Sequence, residues 1–272
     1  MSIGRGRGFF CVGFSLAFTV AACFLPLGSA AQTTVSRSSG GQSQPDFAIP
    51  PGTIVPARLN QTFSSKNAQA GQVITARIMQ NVPLPNGQRL PAGAKLAGKI
   101  ISVQSAANGS KAKIELRFDS LIIRRQTIPI LTSLRALAGF MEVQAAQTPE
   151  YTPGFGTPYD WVPTRQIGGD EVYGVGGPVT NPDGERVGSA IYGGVLVHVR
   201  ARPDSGCRGP VGEEDRLQAL WVFSADACGV YGLNRTEIAH AGRTDPVGTI
   251  ILTAEGQDLK LRTGDALLLR SR

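Results

Sequence analysis

Between Ile49 and Arg135, short runs of alternating apolar and polar residues recur, each bounded by turn-forming residues. In the clearest of them, Ala112, Ile114, Leu116 and Phe118 alternate with Lys111, Lys113, Glu115 and Arg117. Successive side chains of a strand point to opposite faces, so this segment has one buried face and one wet face. The same reading places strands over residues 53–60, 73–82, 95–103 and 121–131, with Asn86-Gly87 and Asn108-Gly109 supplying hairpin turns. Further along, the turn Asn181-Pro182-Asp183-Gly184 feeds a strand over 188–202, with Val195, Val197 and Val199 on one face and Leu196, His198 and Arg200 on the other. Residues 217–224 form another apolar run, and 234–240 is the best match to a short helix. Residues 249–269 read as two or three closing strands, the last returning to the first sheet.

Composition narrows the fold. The 272 residues include 34 Gly and 18 Pro, a density of breakers that holds uninterrupted segments to strand length. Hydrophobic residues at 42% and a mean hydropathy of −0.02 suit neither a polytopic membrane protein nor a disordered chain. Ile49-Pro50-Pro51-Gly52-Thr53-Ile54-Val55 is echoed at Leu90-Pro91-Ala92-Gly93-Ala94-Lys95-Leu96 and, more loosely, at Leu261-Arg262-Thr263-Gly264-Asp265-Ala266-Leu267. Each echo puts a Gly in a tight turn ahead of an outgoing strand, which is how small barrels turn corners. The expected fold is mainly β: a small β-barrel with a Gly/Pro-rich, disulfide-stapled insertion and little helix. The expected division is a signal peptide at 1–31, a flexible linker at 32–48, the β-barrel domain at 49–135, the insertion at 136–248 and closing strands at 249–272.

The first thirty residues follow the order of a secretory signal: Arg5 and Arg7, an apolar run from Phe9 to Leu25, Pro26, then the small residues Gly28 to Ala31. Cleavage is read after Ala30 or Ala31. Two alternatives tether the same domain to a membrane, a lipidated Cys23 in Val20-Ala21-Ala22-Cys23 and an uncleaved anchor. Secretion or passage to the periplasm leaves Cys207 and Cys228 as the mature pair. In an oxidising compartment they read as one disulfide closing a loop of about twenty residues. Their spacing is not that of a redox CxxC pair.

Charge is divided unevenly. Residues 32–135 carry thirteen Lys/Arg against three Asp/Glu, a balance of +10, whereas 136–272 carry twelve against seventeen, a balance of −5. The candidate basic face is Lys111, Lys113 and Arg117, which reads either as a solvated face or as attraction to an anionic surface or polymer. Export and the few aromatics of the basic half disfavour nucleic acid. A Pro/Gly-scaffolded stretch presents Tyr151, Phe155, Tyr159 and Trp161, a candidate recognition loop or a cover for the barrel end. A Ser/His/Asp assembly would draw on Ser224, Asp226, Asp245 and the two histidines, His198 and His240, but no GxSxG elbow supports it. Glu213-Glu214-Asp215, like Asp170 and Glu171, reads as a solvated acidic turn, because the alternating Asp spacing of a calcium loop is missing. GxGxxG between a strand and a helix, GxxxxGK[ST], HExxH and paired CxxC are all absent from the sequence, so no cofactor, metal site or catalytic residue is assigned.

Residues 49–59, then Gly71-Gln72-Val73-Ile74-Thr75-Ala76, then Leu90 to Gly98, resemble the periplasmic carboxy-terminal barrel of TrbI-like scaffold proteins of conjugative and type IV secretion channels. The shared features are P-x-G-T, a G-Q-V strand and P-x-G-[ST]-x-[LIV]-x-G in the same order, with Ala94 where that family has Ser or Thr, and a last strand after a second Gly turn, here at Gly264. The resemblance implies a β-barrel, a non-enzymatic role and self-association. Residues 139–245 have no counterpart in it. The functional expectation is an exported cell-envelope protein, bacterial in type, that acts by binding or assembly with an envelope protein or its own copies. The alternative is a secreted hydrolase of a cell-wall or extracellular polymer.

Overall fold

The computed structural model describes residues 48–106, 110–152, 154–156, 158, 161–202, 207, 216–239 and 247–272. Asn108-Gly109 lies outside them. The front segment supplies β1 (Ile54–Leu59), β2 (Phe63–Ser64), β3 (Val73–Ile78), β4 (Val82–Pro83), β5 (Arg89–Leu90), β6 (Lys95–Gln104), β7 (Ala112–Ile123), β8 (Gln126–Pro129) and β9 (Thr132–Ala138). After helix α1 (Phe140–Ala145) come β10 (Thr164–Arg165), β11 (Glu171–Val172), β12 (Pro178–Thr180), β13 (Arg186–Ile191), β14 (Gly194–Val197) and β15 (Gln218–Ala219). The chain closes with β16 (Gly229–Tyr231), β17 (Thr236–Ile238), β18 (Ile250–Ala254), β19 (Lys260–Leu261) and β20 (Ala266–Ser271). The protein is mainly β, as its breaker density dictates.

A ten-stranded sheet follows the path β16-β9-β20-β1-β3-β6-β7-β18-β17, with β8 paired to β7. One side of it faces the larger core, in which Phe63, Ile74, Leu96, Ile114, Phe118 and Leu252 are fully buried. The expected closed barrel does not form. The end strands β16 and β17 adjoin through residues 232–235, but no ladder joins them among the described residues. Each is three residues long, and β16 is committed to a parallel pairing with β9.

A second sheet, β10-β11-β12-β13-β14-β15, is an antiparallel meander that covers the outer side of β1, β20 and β9. Ile54, Ala136, Ala266 and Leu268 meet Val179, Val195, Val197 and Phe223 there in a second core. Buried amides pin the sheets together. The Gln80 amide donates to Val195 O at 2.8 Å and accepts from Trp221 N at 2.6 Å, while Gln218 Oε1 accepts from Ile54 N at 3.2 Å.

Three local expectations are corrected. The helix read over 234–240 is instead β17, because Thr236 to Ile238 pair with Leu252 to Ala254. The one helix among the described residues is α1. The strand read over 188–202 is a hairpin that turns at Tyr192-Gly193, where Gly193 takes a φ of +85°. The strand read over 121–131 also turns, at Arg124 with a φ of +56°, so that β7 folds back into β8. By contrast, Gly52, Gly93 and Gly264 adopt φ values of +85°, +86° and +100° immediately ahead of β1, β6 and β20, a region closed to most side chains.

Cys207 and Cys228 form the expected disulfide. The Cys207 Sγ lies 3.7 Å from Arg135 O, so the cross-link ties Cys207, which falls between β14 and β15 and sits against β9, to the chain just ahead of β16. In an unstrained loop of this length, losing it costs about 3 kcal/mol. A Cys207→Ser/Cys228→Ser protein will therefore show a lower midpoint in guanidinium unfolding. Gly98 sits at the β6–β7 bulge, where a Cβ would meet Arg117 O at 1.9 Å. Gly98→Ala will destabilise the protein by about 2–3 kcal/mol, read as a lower melting temperature.

Candidate functional site

Helix α1 follows directly on β9, and its exposed N–H groups need partners that Gly139, its N-cap, has no side chain to supply. Asp265 supplies one from the other end of the chain. Its Oδ1 accepts from Phe140 N at 2.9 Å and its Oδ2 from Arg262 N at 2.7 Å. The carboxyl is fully buried, and burial raises its pKa against the lowering effect of those two N–H groups. Capped in this way, α1 forms one wall of an open groove of about 500 Å³. Ala145, Ala146, Pro149 and Ile167 make much of it apolar, and Glu142, Glu150 and Arg165 place charge around it.

The opposite wall, residues 165–169, is held from below. Ala225 N donates to Asp170 Oδ2 at 2.7 Å, and Ile167 N donates to Val222 O at 2.8 Å. Asp170 is 1% exposed and its pKa is raised, chiefly by burial. This corrects the reading of Asp170 as part of a solvated turn: its carboxylate is a buried brace. Glu171 keeps company with Arg165 at 3.5 Å and accepts from the Tyr173 hydroxyl at 2.9 Å.

The aromatic loop leaves and returns at the rim of this groove, where Glu150 N donates to Pro163 O at 3.0 Å. Tyr151 is 56% exposed, Trp161 is 69% exposed and Phe155 is fully exposed. Tyr159 lies outside the described residues. These side chains face solvent, so the described part of the loop is not a cover folded onto the core.

The candidate catalytic groups are differently employed. Ser224 Oγ donates to Asp226 Oδ1 at 2.9 Å, and Asp226 Oδ2 takes Arg202 Nη1 at 2.7 Å. His198 is exposed just beyond β14, while His240, Asp245 and Glu213-Glu214-Asp215 lie outside the described residues. Arg135, nine-tenths buried in β9, donates from Nη2 to Arg200 O at 2.5 Å. Burial, then repulsion from Arg270, pushes its pKa down to about 10, so it stays charged at neutral pH. Among the described residues no cluster of His, Cys, Asp and Glu is suited to a metal.

The basic face is also redrawn. Lys111 pairs with Glu255 at 2.5 Å and Lys113 pairs with Glu115, so two of the three expected cations carry their own counter-charges. Arg117 lies instead directly opposite Lys99, four residues along β6 from the Arg58–Arg77–Lys95 row. Each of these residues is visible in the sequence as the polar member of an alternating strand, but their adjacency depends on pairing register, which one strand alone does not encode.

No family model, curated protein or solved structure matches this chain. Among the described residues no helix is long and apolar enough to cross a membrane. The disulfide points to an oxidising, extracytoplasmic environment.

The Asp265 brace has a pH signature. Its folded pKa lies above the ordinary 3.8, so the folded state holds the proton more tightly than the unfolded chain. The resulting stabilisation is complete below 3.8 and is lost as pH rises through the folded value. Asp265→Asn removes this titration. Unfolding free energies measured from pH 3 upward will show the native protein losing stability relative to the variant as pH increases.

Proposed function

We propose that this chain is an exported, non-catalytic protein of the cell envelope that acts by binding and self-assembly, in the manner of the TrbI-like scaffolds its front segment resembles. The observation that carries the reading is the display of Tyr151, Phe155 and Trp161 to solvent at the rim of an apolar groove. Large rings held on Pro/Gly backbone lose little conformational freedom when they dock, and such residues dominate binding energy at protein surfaces. Export follows from the signal-like order of the first thirty residues, and the disulfide supports it. Assembly rather than turnover is supported by the use of Ser224, Asp226 and Asp170 as bracing groups in hydrogen bonds and an ion pair.

Light scattering on the protein from Gln32 onward tests the proposal. The mass will rise with concentration, and Phe155→Ser with Trp161→Ser will weaken the association about tenfold or more without lowering the melting temperature. A protein that stays monomeric at all concentrations and releases reducing ends from a cell-wall polymer would instead be the hydrolase.

A further inference from the structure

Among the described residues the second sheet covers only the β9, β20 and β1 part of the large sheet's outer side, leaving the outward face of β3, β6 and β7 open. Register assembles its charges. Arg58 is directly opposite Arg77, and Arg77 is directly opposite Lys95, which makes one row across β1, β3 and β6. Four residues further along β6, Lys99 is directly opposite Arg117 on β7 and Val73 on β3. Between the two cationic rows runs a row of small side chains, Thr75, Ala97 and Ser120. Residues four apart on a strand are about 13 Å apart, so the small side chains floor a shallow trough of roughly that width. All five cations project away from the core, since Ala57, Ala76, Leu96, Ile100 and Leu116 alternate with them on the buried face.

Such an arrangement opposes folding. Like charges directly opposite one another destabilise a sheet, by about 0.2–1 kcal/mol for each pair. Among the described residues none of the five makes an ion pair, whereas Lys111 and Lys113 on the same sheet do. Two carboxylates adjoin the trough on β7: Glu115, on the same face two residues from Arg117, is paired with Lys113, and Asp119, at the β7 bulge, accepts the Ser120 hydroxyl at 2.8 Å.

We propose that this trough is a binding site for a linear acidic polysaccharide. The charge pattern requires a polyanion, and two parallel rows select an extended chain lying between them. Aromatic rings, on which the bases of single-stranded nucleic acid stack, are missing from the rows and the floor. Val73 is the one exposed large apolar side chain on them, too little to insert into a bilayer. Thr75, Ser120 and the neighbouring amides of Asn60 and Gln61 provide hydroxyl and amide groups of the kind that bond sugar hydroxyls. The choice of a sugar polymer rests on the exported reading. The site itself is separate from the aromatic groove.

The test is a titration of the purified protein with fluorescently labelled polygalacturonate at several salt concentrations, with polyphosphate, an oligothymidylate and phosphatidylglycerol vesicles as parallel probes. Polygalacturonate will bind, and its affinity will fall steeply with salt as counterions are released. Lys95→Glu with Lys99→Glu will weaken binding at least tenfold and flatten the salt dependence, while Lys111→Glu will change affinity less than twofold. The uncharged pair Lys95→Gln and Lys99→Gln will also lose binding, yet melt about 1–3 °C higher because the like-charge repulsion is relieved. Absence of binding, equal loss in Lys111→Glu, or tenfold tighter binding of any other probe would overturn the proposal. Each of these results leaves the self-association test at Phe155 and Trp161 unaffected, so failure of one reading is distinguishable from failure of the other.

Discussion

Strand β20 has to fit between β1 and β9 with both of its faces buried, and the rest of the molecule depends on that insertion. Its backbone pairs Ala266 to Arg270 with β1 and Ala266 to Ser271 with β9. Leu267 and Leu269 enter the large core, while Ala266 and Leu268 enter the core beneath the second sheet. One strand therefore takes part in two cores at once. Its partners in β1 lie more than two hundred residues away in sequence, as the bond from Thr53 N to Ser271 Oγ shows. Contacts of such separation close late and slowly, which ties completion of both cores to the arrival of β20.

The same insertion prepares the groove. Asp265 precedes β20 by one residue, so the strand's arrival delivers the carboxylate that caps α1. The second sheet then seals the outer side of β1, β20 and β9 through buried amides and apolar side chains. Buried polar groups need partners. The Gln80 side chain meets this requirement with both ends of its amide. Arg135 meets it in part, at the bulge where β9 and β20 slip register. Placing a charged guanidinium there is expensive. Among the residues around it, Asp226 offsets the charge and Arg270 and Arg202 add to it.

Charge management differs between the two halves of the large sheet's outer side. Where the second sheet covers it, the surface is largely apolar, with Arg135 the buried charge within it. Toward β18, Lys111 and Lys113 are neutralised by Glu255 and Glu115. Between these regions Arg58, Arg77, Lys95, Lys99 and Arg117 stand together. Like charges set side by side repel, so this stretch of the sheet contributes less to stability than its paired neighbours do.

Much of the fold was legible in the sequence because the information was local. Alternation identified Ala112, Ile114, Leu116 and Phe118 as core residues, and all four are buried. Gly52, Gly93 and Gly264 marked turns that do take left-handed backbone conformations. The two hairpins hidden within predicted strands, at Tyr192-Gly193 and Arg124, were missed because a tight turn needs only two residues and the flanking apolar pattern continues through it. The groove and the cationic trough were not legible in the same way. Tyr151, Phe155 and Trp161 were visible as a loop, but their position beside α1 depends on Asp265, more than a hundred residues away. Lys99 and Arg117 are each an ordinary wet-face residue until strand register sets them opposite one another. Sequence by itself determined the β class, the disulfide partners and the faces of individual strands, since period, composition and cysteine number act along the chain. Tertiary structure alone decided that the sheet stays open, which half of it is covered and which charges meet, since those depend on pairing between segments that no local pattern connects.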